Sequence, residues 1–131
     1  MKFTDLIQSA DWKTEKHVPV IDAPATGKAG EKIAITVSVG KEIAHPNTTE
    51  HHIRWIKLFF KPDAGKFAYE LSALEFNSHG ESTDGANKGP AYTEPSGQTI
   101  VKLNSSGTLL ALAYCNIHGL WENSQTITIE G

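Results

Sequence analysis

Cysteine and methionine are almost absent from this chain of 131 residues, which contains only Cys115 and Met1. One cysteine excludes an intrachain disulfide framework, so an apolar core must stabilise the fold, and a domain of this length can bury one. The segment Met1–Ser9 contains Asp5 and Gln8 and lacks the apolar stretch of a secretion signal. Together with the unpaired thiol, this predicts a cytoplasmic protein.

Long apolar runs and an excess of basic charge are missing as well. No stretch approaches the roughly 20 apolar residues that cross a bilayer as a helix, so we expect no membrane partner. The chain has 12 Lys and Arg against 15 Asp and Glu, a formal net charge of −3. Nucleic-acid-binding domains show a basic face and a high pI, so we expect no nucleic-acid partner either.

Alternating apolar residues predict that most of the chain forms β-strands. Apolar side chains occupy every second position of Glu31–Gly40, as in a half-buried strand. His52–Phe60 is rich in aromatic and branched residues and ends at the turn sequence Lys61–Gly65, which predicts Phe67–Phe76 as its hairpin partner. Further strands are predicted over Thr99–Leu103, Thr108–Tyr114 and Gln125–Ile129. The pattern predicts an all-β, immunoglobulin-like antiparallel β-sandwich.

Two segments depart from this strand pattern. Thr4–Asp11 is predicted to form a short N-terminal helical segment capped by Thr4. Asn77–Ser96 is rich in Gly, Ser, Asn and Pro and is predicted to be a long ordered loop, a kind of segment that is usually functional or mobile. His79 begins this loop, and we expect it at the surface or behind a ligand rather than in the metal site. The aromatic side chains of the predicted hairpin are assigned to the core: Trp55, Phe59, Phe60, Phe67 and Tyr69.

Most of the six histidines lie in two short clusters, and another lies three residues after the cysteine. The clusters are Glu15-Lys16-His17 and His45-Pro46-Asn47-Thr48-Thr49-Glu50-His51-His52, and the third segment is Cys115-Asn116-Ile117-His118. A thiolate with several imidazoles is too soft and too nitrogen-rich for magnesium or calcium. The set indicates a site for iron, copper or zinc.

The spacing allows three loops to meet at one ion. Cys115 and His118 directly follow a predicted strand, so a tight turn can aim both side chains at the same point, and Pro46 stiffens the loop after His45. Successive side chains of an extended chain point in opposite directions, so at most one of His51 and His52 is expected to be a ligand. The spacing does not decide which one.

Three stretches resemble the signatures of the superoxide reductases, also called neelaredoxins, or the iron-site domain of desulfoferrodoxins. They are Glu15–Pro19, His45–His52 and Cys115–Glu122. By motif order and spacing the resemblance runs from about Asp11 to the C-terminus. In that family one iron ion lies in a square pyramid of four equatorial histidine nitrogens and one axial cysteine thiolate. The resemblance implies these ligands: His17, His45, His51 and His118 in the plane, and Cys115 on the axis.

The same resemblance implies roles for the neighbouring residues. His51 is then the ligand of its pair, and His52 points away as a supporting residue. Glu15 corresponds to the glutamate that closes the sixth iron position after oxidation. Lys16 would supply a positive field for the anionic substrate, and Trp121 is expected to pack over the turn between the ligands Cys115 and His118.

The implied activity is the one-electron reduction of superoxide to hydrogen peroxide, with the iron alternating between Fe2+ and Fe3+. The axial thiolate would push electron density onto the metal, and backbone N–H groups around Ile117 and His118 would tune its sulfur. An external electron donor is needed, typically rubredoxin in this family, and single-iron members commonly form homotetramers. Desulfoferrodoxins carry a further four-cysteine domain, so with one cysteine we expect residues 1–131 to form a single domain of the single-iron type.

Other classes of protein fit these residues less well. A mononuclear electron-transfer protein of the β-sandwich type, such as a blue-copper protein, is the main alternative. It would use two histidines, a cysteine and usually an axial methionine, whereas the only methionine here is Met1. A structural zinc site is four-coordinate and typically has more than one cysteine. A binding module of the immunoglobulin type would need no such cluster.

Overall fold

The structure is a computed structural model that describes residues 1–131, and nearly all of its regular elements are strands. A single 3-10 turn, Phe3–Asp5, precedes them. The strands are β1 (Gln8–Ser9), β2 (Val20–Asp22), β3 (Thr26–Lys28), β4 (Lys32–Ser38), β5 (Ile53–Pro62), β6 (Tyr69–Glu75), β7 (Ser96–Lys102), β8 (Gly107–Cys115) and β9 (Gly119–Glu130). The one helical turn is 3 residues long, far too short to span a bilayer.

The strands form two sheets that face each other. The larger sheet has the order β1-β9-β8-β5-β6, with β3 also paired to β9, and the smaller has the order β2-β4-β7. Only β1 and β3 run parallel to their neighbour β9, and all other pairs are antiparallel. The predicted antiparallel β-sandwich is confirmed.

The core lies between the sheets and is built by alternation along the strands. In β4, Ile33, Ile35 and Val37 are buried while the residues between them are exposed or half-buried. In β8 the buried set ends at Cys115, which is 0% exposed. Each fully buried Val, Leu or Ile side chain stabilises the fold by about 1.5–3 kcal/mol, so the alternation fixes which face of each strand turns inward.

The N-terminal segment differs from the predicted helix over Thr4–Asp11. Only the 3-10 turn forms, and Thr4 lies inside it rather than capping it. The backbone N–H of Lys2 donates to the Asp5 carboxylate over 2.9 Å, which closes this turn. Beyond it, Gln8 pairs with Trp121 along the edge of β9. Because β9 offers this edge, the chain becomes extended where local sequence favours a helix.

The aromatic residues of the β5–β6 hairpin are less buried than predicted. Phe60 is 6% exposed, whereas Phe67 and Tyr69 are 70% and 61% exposed, so their assignment to the core is wrong. Trp55 and Phe59 are half-buried. Burial alternates without a break from Ile56 to Phe60, which places Phe59 on the outer face of the sheet, and Phe67 lies in the connection before Tyr69, the first residue of β6.

The strand pairing brings the predicted ligand segments to one end of the sandwich. Ile53, the first residue of β5, pairs with Cys115, the last residue of β8. The end of the loop before β5 and the beginning of the turn after β8 therefore lie side by side. The backbone N–H of Asn116 donates to the carbonyl of His52 over 3.1 Å, which extends the contact between these segments by one residue.

Candidate metal centre

Five side chains from three segments converge at this end of the sandwich. Ligand atoms of His17, His45, His51 and Cys115 all lie within 4.8 Å of one another. Nδ1 of His118 is 3.1 Å from Nε2 of His17 and 3.2 Å from Nε2 of His51. It is also 3.8 Å from the sulfur of Cys115. The structure therefore brings together four imidazoles and one thiol that are far apart in sequence.

The spacing of these atoms suits a shared metal ion. Two nitrogens at right angles around one ion, each about 2.1 Å from it as in zinc sites, are about 3.0 Å apart. The two contacts of His118 have this length, which places His17 and His51 on either side of it. Nε2 of His45 is buried and has no hydrogen-bond partner in the protein. Buried polar atoms are normally paired, so a nitrogen left free beside a thiol and three imidazoles fits a metal ligand.

Hydrogen bonds on the opposite ring nitrogens orient two of the histidines. Nδ1 of His45 lies 2.6 Å from the carbonyl oxygen of Pro46. A carbonyl only accepts, so Nδ1 carries the proton and Nε2 keeps a free lone pair. Nδ1 of His17 lies 2.7 Å from Oε1 of Glu15, which also accepts from the backbone N–H of His17 over 3.1 Å. Both rings thus present Nε2 to the centre, as metal-binding imidazoles do.

The surroundings of His45 and His51 favour the neutral imidazole, which is the form that binds metals. The pKa of His45 is lowered to about 4, mainly by burial and also by the charges of His17, His51 and Lys16, although the hydrogen bond to the Pro46 carbonyl raises it. The pKa of His51 is also lowered, first by burial and then by the charges of neighbours that include His118 and Lys16.

The cysteine is completely buried at the end of β8. The backbone N–H of His118 donates to the sulfur of Cys115 over 3.3 Å. Ile117 makes no such bond, and its side chain is 57% exposed. The turn therefore supplies one hydrogen bond to the sulfur, and an N–H donor at that position stabilises negative charge on a thiolate.

Glu15 and Lys16 lie at the rim of the centre. They line an open surface cavity of about 300 Å³ together with Thr14, His17 and Ile43. The pKa of the Glu15 carboxyl is lowered, mainly by its hydrogen bond with the His17 side chain. Lys16 is half-buried and adds the positive charge felt by both His45 and His51.

His52 points away from the centre and stacks on His79. The two ring centroids are 3.4 Å apart with an angle of 7° between the planes. Nδ1 of His52 donates to the carbonyl of Thr48 over 2.8 Å. Of the two places expected for His79, the surface is wrong: this residue is 3% exposed and lies behind the ligand loop.

Asn116 connects the turn after Cys115 to the loop that carries His45 and His51, a role that sequence reasoning missed. Its Oδ1 accepts from the backbone N–H of His52 over 2.9 Å, and its Nδ2 donates to the carbonyl of Glu50 over 2.8 Å. Its position next to Cys115 was the one available indication.

Trp121 packs where expected: it donates from Nε1 to the carbonyl of His118 over 3.2 Å and stacks on the ring of His17.

Comparison with known proteins finds close relatives along the whole chain. The family model described as desulfoferrodoxin matches residues 9–124. The neelaredoxin of Megalodesulfovibrio gigas is 52% identical over 130 residues, which cover 99% of this chain and 100% of that protein. The superoxide reductase of Pyrococcus furiosus is 52% identical over 124 residues, covering 95% and 98%. The crystal structure of a putative superoxide reductase from Thermotoga maritima superposes with a TM-score of 0.98 at 62% identity, covering 100% and 99% of the two chains.

Proposed function

The chain belongs to the desulfoferrodoxin family and is an oxidoreductase of the superoxide reductase type, and we propose that it works with one iron ion held by four histidines and Cys115. The convergence of these five side chains is the observation that carries the proposal. When bound, the iron supplies one electron to superoxide, which takes up two protons and leaves as hydrogen peroxide.

The ligand atoms are assigned from the contacts within the cluster. We propose that the atoms that would hold the iron are Nε2 of His17, His45 and His51, Nδ1 of His118 and the sulfur of Cys115. His118 lies between His17 and His51 at 3.1 Å and 3.2 Å, which supports this arrangement. The assignment of His51 rather than His52 is supported by the ring of His52, which stacks on His79 instead.

Cys115 and its turn are proposed to set the electron-donating strength of the site. A buried thiolate gives electron density to the metal, and hydrogen bonds to its sulfur moderate that effect. The backbone N–H of His118 is placed to do this. The same residue would therefore supply a ligand from its ring and tune the sulfur from its backbone.

Lys16 is proposed to attract the substrate. Superoxide is an anion, whereas the whole chain has a formal charge of −3. A single lysine at the rim creates a local field that steers better than the net charge repels. Its position beside the cavity lined by Glu15 and His17 supports this role.

Glu15 is proposed to have two roles that depend on the oxidation state. In the conformation described here its carboxylate orients the ring of His17. When the iron is oxidised, the same carboxylate would leave His17 and serve as a further ligand of the metal. A residue at the rim of an open cavity is placed for such a movement.

The partners are proposed from family membership. The reaction consumes an electron, so we propose a rubredoxin-like protein as donor. A reducing cytoplasm suits a site that depends on a free thiolate.

We also propose a homotetramer, since the outer face of the larger sheet carries an apolar cavity of about 480 Å³ beside Ile7, Phe59 and Leu110. Sedimentation velocity would test the tetramer.

The first test of the proposed centre is metal analysis of the purified protein together with its visible spectrum. We expect near-stoichiometric iron, a blue colour on oxidation and bleaching on reduction. Copper, or colourless protein with tightly bound zinc after expression in iron-rich medium, would contradict the iron centre and leave only the fold.

A further inference from the structure

The long loop between β6 and β7 is hydrogen-bonded to the loop that carries His45 and His51. The side-chain amide of Asn47 donates to the carbonyl of Thr93 over 3.1 Å, and the hydroxyl of Thr49 donates to the carbonyl of His79 over 2.6 Å. These bonds join two segments that are distant in sequence. The long loop therefore packs directly behind the candidate metal centre.

Asn87, at the middle of this loop, has an unusual backbone conformation. Its φ is 63°, and it is the only non-glycine residue of the chain with positive φ. Asn tolerates this left-handed region better than most residues, but such a conformation persists only where its surroundings determine it. The hydroxyl of Tyr92 donates to the carbonyl of Asn87 over 3.1 Å, which helps to hold the residue in place.

This conformation lets Asn87 bind two consecutive residues of the ligand loop. Its Oδ1 accepts from the backbone N–H of Thr49 over 2.7 Å, and its own N–H donates to the Thr49 hydroxyl over 3.1 Å. Its Nδ2 donates to both carboxylate oxygens of Glu50, over 3.1 Å and 2.9 Å. Asn87 thus holds both Thr49 and Glu50 in place through hydrogen bonds.

Thr49 and Glu50 are the two central residues of a turn that ends at His51. The backbone N–H of Thr48 donates to the carbonyl of His51 over 2.9 Å, and the N–H of His51 donates to the hydroxyl of Thr48 over 3.0 Å. Fixing the two central residues of such a turn fixes the direction in which its last residue leaves. The position of Asn87 is therefore transmitted to His51.

His51 depends on this turn more than His17 and His45 depend on the backbone around them. His17 and His45 are buried and have a partner on Nδ1, namely Glu15 and the carbonyl of Pro46. His51 is only half-buried, and its Nδ1 makes no hydrogen bond within the protein. Its ring is therefore oriented from the backbone, through the turn, rather than through a bond to the ring.

We propose that Asn87 is a positioning residue of the metal centre, which holds the Thr48–His51 turn so that Nε2 of His51 faces the other ligands. This role depends on the proposed assignment of His51 as a ligand. Partners that orient a metal ligand from behind typically change metal affinity by about 10–100-fold when they are removed. We expect the loss of Asn87 to lie near the lower limit of this range, because Asn116 also holds Glu50.

The test uses the iron-loaded full chain and three variants. N87G keeps the backbone conformation but deletes the side chain. N87D keeps the acceptor for Thr49 but places a carboxylate against that of Glu50. The double variant N87D/E50Q restores a hydrogen bond between these two side chains, with the donor at position 50 and the acceptor at position 87. N104G is the matched control, since Asn104 is an exposed residue just before β8, at the opposite end of the sandwich.

Iron release to an excess of chelator and the absorption and electron paramagnetic resonance spectra of the oxidised protein are measured, with thermal unfolding in parallel. We expect N87G and N87D to release iron about tenfold faster than wild type and to show altered spectra. N104G should match wild type, and N87D/E50Q should return towards it. Changed spectra would distinguish positioning of a ligand from a general loss of stability.

Two results would overturn the role of Asn87. One is wild-type release and spectra in N87G and N87D; the other is faster release in every variant, N104G included, in proportion to lost thermal stability. Wild-type protein that binds no iron would instead contradict the ligand assignment, and with it both proposals. The wild-type sample therefore separates failure of the proposed function from failure of the proposed role of Asn87.

Discussion

Gly40 and His45 lie back to back: a Cβ atom on Gly40 would stand 2.8 Å from the backbone nitrogen of His45. Gly40 also has a φ of 93°, which L side chains rarely adopt. The glycine therefore allows the chain to double back between β4 and the loop that carries His45. Any side chain at this position would press on the backbone of a proposed ligand.

We predict that G40A destabilises the protein and weakens its hold on iron. Positive φ alone costs a residue with a Cβ about 1–2 kcal/mol, and contact with His45 adds to this cost. The control is G30A, because Gly30 has a φ of 76° and a Cβ there would meet only Oδ1 of Asn104 at 3.9 Å. Thermal unfolding and iron release should be more strongly affected in G40A. Equal effects in both variants would show that contact with His45 is unimportant.

We predict that C115S loses the thiolate-to-iron absorption and most of the activity. A serine hydroxyl at this buried position does not ionise at neutral pH and gives the metal little electron density. Removing a residue that only orients a metal ligand typically costs about 10–100-fold in affinity or activity. The second-order rate constant with superoxide should fall by more than this in C115S. A113S is the control, since Ala113 is buried on the same face of β8. A coloured and active C115S protein would refute the assignment of Cys115.

We predict that K16A reacts more slowly with superoxide at low ionic strength, by about tenfold or less. Salt screens attraction over about 10 Å at 0.1 M, so the wild-type rate should fall with added salt while that of the variant changes little. K66A is the control, because Lys66 is exposed in the β5–β6 turn, away from the end that carries Cys115. An unchanged rate and salt dependence in K16A would remove the steering role.

We predict that E15A and E15Q reduce superoxide at rates within a few-fold of wild type but have changed spectra when oxidised. Neither side chain offers a carboxylate for the sixth position. The two variants should differ in iron retention, because Gln can still accept from Nδ1 of His17, which Glu15 does over 2.7 Å, whereas Ala cannot. Iron release should therefore be faster in E15A. Oxidised spectra identical to wild type would mean that Glu15 does not bind the iron.

The sequence predicts those parts of the fold that follow from local patterns. The alternation in Glu31–Gly40 and the turn after Phe60 are sufficient to predict β4 and the β5–β6 hairpin, both of which form. The short strands β1 and β3 were missed, because they exist only where the edge of β9 is available for pairing. Such pairing depends on residues far away in sequence and leaves no local pattern.

Contacts between segments that are distant in sequence also limit the prediction of the candidate metal centre. The motifs point to Cys115 and the histidines, and the structure brings these residues together. What the sequence does not predict is the support behind them: the stacking of His79 on His52 and the left-handed Asn87. These features require the β6–β7 loop to fold back onto the ligand loop. Composition alone predicts only that this segment is a loop.

The stoichiometry of the reaction is the most direct test of the proposed function. Reduced, iron-loaded protein is mixed with a known amount of superoxide, and hydrogen peroxide, oxygen and oxidised iron are measured. We predict one peroxide and one oxidised iron for each superoxide consumed, without release of oxygen. One peroxide and one oxygen for every two superoxide ions, with the iron left reduced, would show dismutation and contradict superoxide reduction.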